Sequence, residues 1–287
     1  MKYCFVFVCQ GGELEYKAAL LAASLNYAVR CEHELVAAVP AGNNVAPLSD
    51  ETQQLMNALG VRTVPIENPL AADYLIGYKL ACLSVHTDAE KLIFLDSDIL
   101  CIKEFHHQSR FEHAEFNAKL EDWHHHHIED WNAIYDFFEL PQADPCYRST
   151  VFDEPMPLYF NAGVLMVDTV RAKELSATWV QVAKSIDEHL HIPRVRPNLD
   201  QLSLPIAAQM MNLSVDLLGE AFNYPGELRS YRADKPPYFF HYHDPRMLLC
   251  NKTLTRYCAL LSDSVCELKD VLKRSSNPVW NALLMGH

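Results

Sequence analysis

The chain has 287 residues, of which 49% are hydrophobic and 21% are charged, and its formal net charge at pH 7 is −13. This length suits one large α/β domain, or such a domain with a C-terminal annex. Binding a long polyanion requires clustered cations, and the sequence has no run of Lys or Arg, so we expect no nucleic-acid partner; a single nucleotide diphosphate is compatible with carboxylates that hold a divalent ion.

The first hundred residues alternate apolar runs with segments of helical spacing. Strands are predicted at residues 3–9, 35–39, 61–66 and 91–95, and helices at residues 14–29 and 71–86. A further helix is predicted to begin near Asp50, which has the spacing of a capping box with Gln53, and to end at Gly60. This alternation predicts a parallel sheet covered by helices, with ligands at the carboxyl ends of its strands. Residues 8–13, residue 40 onward and residues 96–98 would then lie on the ligand face.

Residues 104–157 are the longest stretch without a clear period, rich in His, Trp, acids and Pro. A long irregular stretch in a compact domain is usually functional, so we expect an acceptor-side insertion within a catalytic domain of residues 1–250. Beyond it, strands are predicted at residues 160–167, 213–217 and 238–241, and helices at residues 170–190, 199–210 and 253–273. The last of these helices belongs to a predicted C-terminal helical extension, residues 251–287.

The sequence also carries signals about its compartment. The apolar run at residues 3–9 stops at Gln10-Gly11-Gly12-Glu13 without a cleavage site, which indicates a buried strand rather than a signal peptide. No apolar stretch reaches the ~18 residues of a membrane span. Nine cysteines without CxxC spacing are typical of reduced core residues, so a cytoplasmic protein without a membrane span is expected.

Asp96-Ser97-Asp98 is the strongest chemical signal. It ends the apolar strand Lys91 to Leu95, and more apolar chain follows. Two acids at the edge of a core repel each other and lose hydration unless a cation lies between them, and no local cation pairs these two. Oxygen ligands favour Mg²⁺ or Mn²⁺, which keep open positions for phosphate oxygens. The motif therefore predicts a metal site for a phosphate-bearing ligand; alternatively, Asp96 caps a turn and Asp98 is solvated.

Three further motifs follow this DxD in order: Phe160-Asn161-Ala162-Gly163, Asp200-Gln201 and His241-Tyr242-His243. With them, from about residue 3 to residue 246, the chain resembles family 8 glycosyltransferases, which include glycogenin and bacterial lipopolysaccharide galactosyl- and glucosyltransferases. The resemblance implies the GT-A fold, a Rossmann-like α/β architecture with a mixed sheet and helices on both faces. It also implies retaining transfer of a hexose from a nucleotide-sugar, with UDP-sugar as the favoured donor, to a carbohydrate, lipid or protein acceptor, with Mn²⁺ (or Mg²⁺) as cofactor.

Carried over residue by residue, the resemblance implies a complete site. The metal ligands would be Asp96, Asp98 and His241. The donor-binding residues would be Val8, Cys9, Gln10, Lys79, Ser97, Asn161 and Asp122, with Lys79 where the family usually has an Arg and Glu121 nearly as well placed as Asp122. The catalytic residues would be Asp200 and Gln201, whose carboxylate and carbonyl oxygens suit an oxocarbenium-like anomeric carbon.

Two departures from the family concern the nucleotide. Asp244 and Arg246 stand where the family has a Gly and, beyond it, a Lys that contacts the diphosphate. The loop from Cys9 to Glu13 lacks the Asp and Asn that hold uracil and ribose in bacterial members, although backbone groups can hold a base edge without them. The loop is also not GxGxxG, so nothing favours a nicotinamide dinucleotide.

Several side chains allow two interpretations. His124 to His127 would form either a zinc site or a polar acceptor-side loop. In an extended strand His241 and His243 would point to opposite faces, and the resemblance selects His241 for the metal. Trp123 and Trp131 would either stack on a sugar acceptor or be buried within the insertion.

Two other functions compete with glycosyl transfer. A nucleotidyltransferase or nucleotide-sugar pyrophosphorylase would need a Gly-rich loop with Arg or Lys after the first strand, which residues 10–15 do not provide. A non-catalytic nucleotide-sugar-binding module would be expected to lose the DxD or its His partner, and all three candidate ligands are present.

Overall fold

The computed structural model describes residues 1–42, 45–71, 73–124, 126–193 and 195–286, with the backbone alone at residue 110. The strands are β1 (Tyr3–Val8), β2 (His33–Pro40), β3 (Arg62–Ile66), β4 (Lys91–Leu95), β5 (Ile99–Cys101), β6 (Phe116–Leu120), β7 (Tyr147–Arg148), β8 (Pro155–Met156), β9 (Phe160–Asp168), β10 (Val215–Leu217), β11 (Tyr224–Pro225) and β12 (Phe239–His241). The helices are α1 (Glu13–Ala28), α2 (Asp50–Ala58), α3 (Gly77–Ala81), α4 (Ile128–Phe137), α5 (Thr169–His189), α6 (Leu199–Met210), α7 (Arg246–Leu249), α8 (Lys252–Ser264), α9 (Cys266–Lys273) and α10 (Pro278–Met285).

The central sheet has the strand order β10-β6-β9-β4-β1-β2-β3. Its strands from β3 to β4 are parallel, as the alternating pattern predicted, whereas β9 runs antiparallel to both β4 and β6. A smaller sheet, β11-β12-β5, adjoins the DxD turn, because β5 starts at Ile99 and pairs antiparallel with β12. This pairing brings the end of β12 beside Asp98.

Both faces of the central sheet are covered. The even-numbered β1 residues Cys4 and Val6 face a core that includes Trp179 of α5, while Phe5 and Phe7 face a core that includes Leu21 of α1. A strand buried on both faces needs an unbroken apolar run, which is what residues 3–8 supply. The predicted arrangement of a mixed sheet with helices on both faces is confirmed.

The C-terminal helices α8, α9 and α10 form a further layer over α1 and α2. Leu254, Leu261 and Trp280 share a core with Leu20 and Leu55. The indole Nε1 of Trp280 also donates a hydrogen bond to Glu13 Oε1 at 2.8 Å. The single helix predicted for residues 253–273 is wrong in one respect, because Val265, in an extended conformation, separates α8 from α9. None of the described helices is both long and apolar enough to cross a bilayer.

The prediction of a helix over residues 71–86 is also wrong in its first half. Helical structure begins only at Gly77, because the Asn68 side chain organises the preceding loop. Its Oδ1 accepts from the Leu70 amide at 3.0 Å, and its Nδ2 donates to the Tyr74 carbonyl at 2.9 Å. In α2 the N-cap is Ser49 rather than Asp50, since the Ser49 hydroxyl accepts from the Thr52 amide.

Residues 104–157 are not an irregular insertion throughout. Phe116–Leu120 is strand β6, which lies inside the central sheet between β10 and β9. Ile128–Phe137 is helix α4. Strand β6 therefore divides the predicted insertion, and the longer excursion from the central sheet, between β6 and β9, starts after Leu120.

Candidate active site

A cavity of about 310 Å³ opens at the carboxyl ends of β1 and β4, where ligands bind in sheets of this kind. Most of the predicted site residues line it, namely Val8, Gln10, Lys79, Asp96, Ser97, Asp98, Asn161, Asp200, Gln201 and His241. Leu75, Ile76 and Pro197 add apolar wall. The structure thus gathers residues that lie as much as 233 positions apart, from Val8 to His241, around one volume.

The DxD turn is held by backbone contacts to the neighbouring strands. The Asp96 amide donates to the Gly163 carbonyl of β9 at 2.8 Å, and the Ser97 hydroxyl donates to the Val8 carbonyl of β1 at 2.6 Å. The Tyr242 amide donates to the Asp98 carbonyl at 3.0 Å. The turn is therefore fixed between three strands, and the Ser97 hydroxyl is used in fixing it.

Two lysines pair the acids of the DxD. Lys79 Nζ lies 2.9 Å from Asp96 Oδ2 and 3.1 Å from Asp200 Oδ2. Lys17 Nζ lies 3.3 Å from Asp98 Oδ2 and donates to the His243 carbonyl at 2.6 Å. Although no local cation pairs the two acids, cations from α1 and α3 reach them in the fold, so the acids do not depend on a metal ion for a positive partner.

The surroundings shift the pKa values of the Asp96 and Asp98 carboxyl groups in opposite directions. Burial raises the pKa of Asp96 above its ordinary range, although the Lys79 ammonium opposes this shift. Burial acts on Asp98 in the same direction, but the His241 ring and the Lys17 ammonium outweigh it and lower the pKa of Asp98. Asp98 is therefore the stronger anion of the pair and the better partner for a cation.

Asp98, His241 and His243 each offer a ligand atom within 4.8 Å of the others, and in the described part of the chain no other group of this kind occurs. The expectation that His241 and His243 face opposite sides is wrong. Strand β12 ends at His241, and His243 has a φ of 53°, so the chain turns and the two ring centroids lie 3.8 Å apart. Burial, reinforced by His241, lowers the pKa of His243 to about 3, which leaves its ring neutral and able to bind a metal.

Gly163 and Asn223 shape the surroundings of His241. A Cβ at Gly163 would lie 2.6 Å from His241 Cε1, so the FNAG glycine makes room for the imidazole. Asn223, buried between α6 and β12, places its Oδ1 3.2 Å from His241 Nδ1. No spacing in the sequence marks Asn223 as part of the site.

Asp200 and Gln201 lie at the start of α6 and face the cavity. Besides Lys79, Asp200 Oδ1 accepts from the Tyr74 hydroxyl at 3.5 Å. Gln201 Oε1 accepts from the Tyr159 hydroxyl at 2.9 Å, and the Tyr159 side chain is fully buried. No motif marks either tyrosine, since both reach the pair from distant segments.

Asp122 and Cys9 do not line the cavity. Asp122 is paired with Lys119, whose side chain is fully buried, and with the Thr150 hydroxyl, so its carboxylate is held behind Asn161. Glu121 Oε1 accepts from Asn161 Nδ2 at 3.2 Å, and burial raises the pKa of Glu121. A direct sugar contact by Asp122 therefore has no support in this geometry. The Cys9 side chain is buried in the core, which leaves only its backbone for a ligand.

The remaining candidates lie outside the cavity. Arg246 is exposed, and its Nε lies 2.9 Å from Asp244 Oδ2, so the two residues pair with each other. Within the histidine run, His125 lies outside the described residues, and His124 Nε2 accepts from the indole of Trp131 at 3.1 Å. Trp131 is fully buried, so the interpretation that it stacks on a sugar acceptor is wrong, and the interpretation that it is buried within the insertion is confirmed. Trp123 is half-exposed beside Phe152.

The chain matches one protein-family model and shares its fold with solved structures. Residues 5–212 match the model of a family described as the Rhodobacterales glycosyltransferase domain. No curated protein matches the sequence.

Three solved structures share the architecture. The first is the apo form of the glycosyltransferase GlyE of Streptococcus pneumoniae TIGR4, at 12% identity and a TM-score of 0.53, with 84% of this chain and 54% of that chain covered. The chain thus spans about half the length of GlyE. The second is apo mouse xyloside xylosyltransferase 1, at 14% identity and a TM-score of 0.50, with 84% and 97% covered. The third is the galactosyltransferase LgtC in complex with donor and acceptor sugar analogues, at 14% identity and a TM-score of 0.52, with 98% and 100% covered.

At these identities the three structures bear on the fold alone. They are enzymes of glycosyltransferase family 8, and the mixed sheet found here matches their GT-A fold. The resemblance and the fold class predicted from the sequence are therefore confirmed.

Proposed function

The chain belongs to the glycosyltransferase family whose model it matches, and on that premise we propose that it is a metal-dependent, retaining hexosyltransferase that uses a UDP-sugar. The observation that carries the proposal is the single cavity in which the cluster of Asp98, His241 and His243 lies with Asp200 and Gln201. Family membership favours glycosyl transfer over nucleotidyl transfer or mere binding. The cytoplasmic placement stays a prediction.

The side chains of the cluster offer both oxygen and nitrogen ligands to a divalent ion. Asp98 offers a carboxylate oxygen and His241 and His243 offer imidazole nitrogens, while Asp96 faces the same cavity and is a further proposed ligand. Imidazole suits Mn²⁺ better than Mg²⁺, which prefers oxygen ligands and water, so we propose Mn²⁺. When bound, such an ion stabilises the negative charge of a leaving diphosphate as a Lewis acid.

The remaining donor contacts follow from the lining of the cavity. We assign the nucleotide to the end of β1, through the backbone of Val8 and Cys9 and the side chain of Gln10. Asn161 faces the donor sugar, and Glu121 fixes its amide from behind. Lys79 places its ammonium group beside the diphosphate, where it also pairs with Asp96 and Asp200.

Asp200 and Gln201 would act at the anomeric carbon. As the bond to the leaving group lengthens, positive charge develops on the sugar, and a nearby oxygen stabilises it. The Tyr159 hydroxyl donates to Gln201 Oε1 and so fixes the plane of the amide, which leaves one lone pair of that oxygen for the sugar. Lys79 Nζ, 3.1 Å from Asp200 Oδ2, holds that carboxyl group in place beside it.

Proton NMR with a panel of UDP- and GDP-sugars tests the proposal. With Mn²⁺ present, we expect slow hydrolysis of one UDP-sugar, and the sugar released first from an α-donor should show the small anomeric coupling of the α form. With EDTA, the donor signals should persist. A β sugar as the first product would contradict retention, and hydrolysis that is equally fast in EDTA would contradict the role of the metal.

We further propose that the acceptor binds beside Trp123. The Glu121 and Asp122 carbonyls accept from the Thr150 and Val151 amides at 3.0 and 3.4 Å, so these two segments lie side by side behind Asn161. Trp123 and Phe152 follow them, with ring centroids 6.0 Å apart and about half of each side chain exposed. An exposed aromatic pair in which Trp123 directly follows the acids contacting Asn161 suits the apolar face of a sugar.

Trp123→Ala is accordingly expected to raise the KM of the best acceptor in a panel of methyl glycosides roughly tenfold, which corresponds to about 1.4 kcal/mol of lost stacking. Mn²⁺-dependent hydrolysis of the donor should not change. Phe137→Ala, which removes an exposed aromatic side chain from α4 in the same segment, is the matched control and should leave both quantities unchanged. An equal loss of donor hydrolysis in Trp123→Ala would contradict the acceptor assignment.

A further inference from the structure

Asn223 is the side chain that joins the metal cluster to the donor-facing side of the cavity. It is almost fully buried just before β11, and β11 pairs with β12, the strand that ends at His241. Its Oδ1 lies 3.2 Å from His241 Nδ1, and its Nδ2 donates to Asn161 Oδ1 at 2.8 Å. Each end of the amide therefore meets one proposed site residue.

The orientation of this amide follows from a backbone group. The Gly163 amide donates to the Asn161 side chain at 3.0 Å, and a backbone N–H can only donate, so the accepting atom of Asn161 is its oxygen. That oxygen also faces Asn223, which must then present its NH₂ group there. The other end of the Asn223 amide, the oxygen, is left to face His241 Nδ1.

This orientation fixes the tautomer of His241. An amide oxygen only accepts, so His241 Nδ1 carries the hydrogen that it donates to Asn223. Because Nδ1 is committed to Asn223, Nε2, which lies 3.1 Å from Asp98 Oδ1, is the ring nitrogen left to bind a cation. Nε2 is thereby presented to the place where a cation would also meet Asp98.

From these contacts we propose that Asn223 is a positioning residue with two separable roles. Its carbonyl oxygen holds His241 in the tautomer that binds the metal, and its NH₂ group holds Asn161 toward the donor sugar. This inference rests on the proposed function. The residue type is specific, because an aspartate would keep the acceptor for His241 but lose the donor for Asn161, and a leucine would lose both.

Two measurements on two substitutions separate these roles. Mn²⁺ affinity is measured without donor by electron paramagnetic resonance, and the affinity for the UDP-sugar that the NMR panel identifies is measured by calorimetry at saturating Mn²⁺. In Asn223→Leu the affinity for Mn²⁺ should fall about 10- to 100-fold, the usual effect of removing a hydrogen-bond partner of a metal-binding histidine. In Asn223→Asp the Mn²⁺ affinity should stay within about threefold of the wild type. With a UDP-sugar, Asn223→Asp should show donor affinity about tenfold weaker than the wild type, since Asn161 loses its anchor.

Asn117→Leu is the matched control. Asn117 is a fully buried asparagine in β6 that does not line the cavity, and its replacement should leave both affinities unchanged. Equal Mn²⁺ affinity in the wild type and Asn223→Leu would overturn this inference alone. A parallel loss of both affinities in Asn223→Asp and Asn223→Leu would also overturn it, because that is the result of a merely structural role. A wild type that binds no Mn²⁺ would overturn the proposed metal site as well.

Discussion

Asp98→Asn is expected to abolish Mn²⁺-dependent binding of the donor and to leave the fold intact. Asp98 contacts His241 and Lys17, and its pKa is the lowered one of the DxD pair, so its carboxylate supplies the charge that a metal needs. An amide of the same shape keeps the packing but removes that charge. Since loss of an outer partner already weakens metal binding by 10- to 100-fold, we expect loss of this ligand to weaken it by more than about 100-fold.

Calorimetry with Mn²⁺ and then with UDP measures both steps, and thermal unfolding reports on the fold. Asp244→Asn is the matched control, because Asp244 lies next to His243 in the sequence but directs its carboxylate to Arg246. That variant should bind Mn²⁺ and UDP as the wild type does. Unchanged donor affinity in Asp98→Asn would refute the metal assignment.

Lys79→Met should cost about 3–5 kcal/mol of stability, the usual effect of removing one partner from a buried ion pair. Lys79 is buried between Asp96 and Asp200, and methionine fills similar space without the charge. The loss should depend on pH. The pKa of Asp96, already raised by burial, rises further without the ammonium. A carboxyl group whose pKa is raised by folding stabilises the fold at low pH and loses that contribution as the pH rises, so the deficit should be largest at neutral pH and shrink toward about pH 4.

Urea unfolding at several pH values measures this deficit. Lys91→Met provides a matched control, since Lys91 is also fully buried and pairs with Asp168, far from the cavity. Both variants should be destabilised, but only Lys79→Met should lose Mn²⁺-dependent donor binding. Equal donor binding in the two variants would show that Lys79 has a structural role alone.

Much of the fold could be predicted because strands β1, β2, β4 and β9 contain continuous apolar runs. Strand β6 escaped detection because its segment includes Asn117 and Lys119, polar residues that are fully buried. Lys119 is tolerated there because Asp122 pairs with it, and that contact exists only once the chain is folded. Hydrophobic periodicity cannot identify a strand whose buried polar residues depend on tertiary contacts for their partners.

The site residues that belong to a sequence motif could be predicted, whereas their contact partners from distant segments could not. The DxD, Asn161 and the Asp200-Gln201 pair stand at strand and helix ends that the pattern locates. Lys17 and Asn223 reach the cluster from distant segments, and neither belongs to a motif. His243 was placed on the wrong side because its positive φ departs from the extended geometry that alternation assumes.

The pairing of β5 with β12 sets the order in which the site assembles during synthesis. Asp98 and His241 are 143 residues apart, and at the pace of a ribosome, 5–20 residues per second, the histidine emerges on the order of 10 s after the acid. Lys17 and Lys79, by contrast, precede the DxD in the chain. The two acids therefore have their ammonium partners available as the nascent β4 joins β1, whereas the proposed metal cluster is complete only after His241 and His243 have been synthesised.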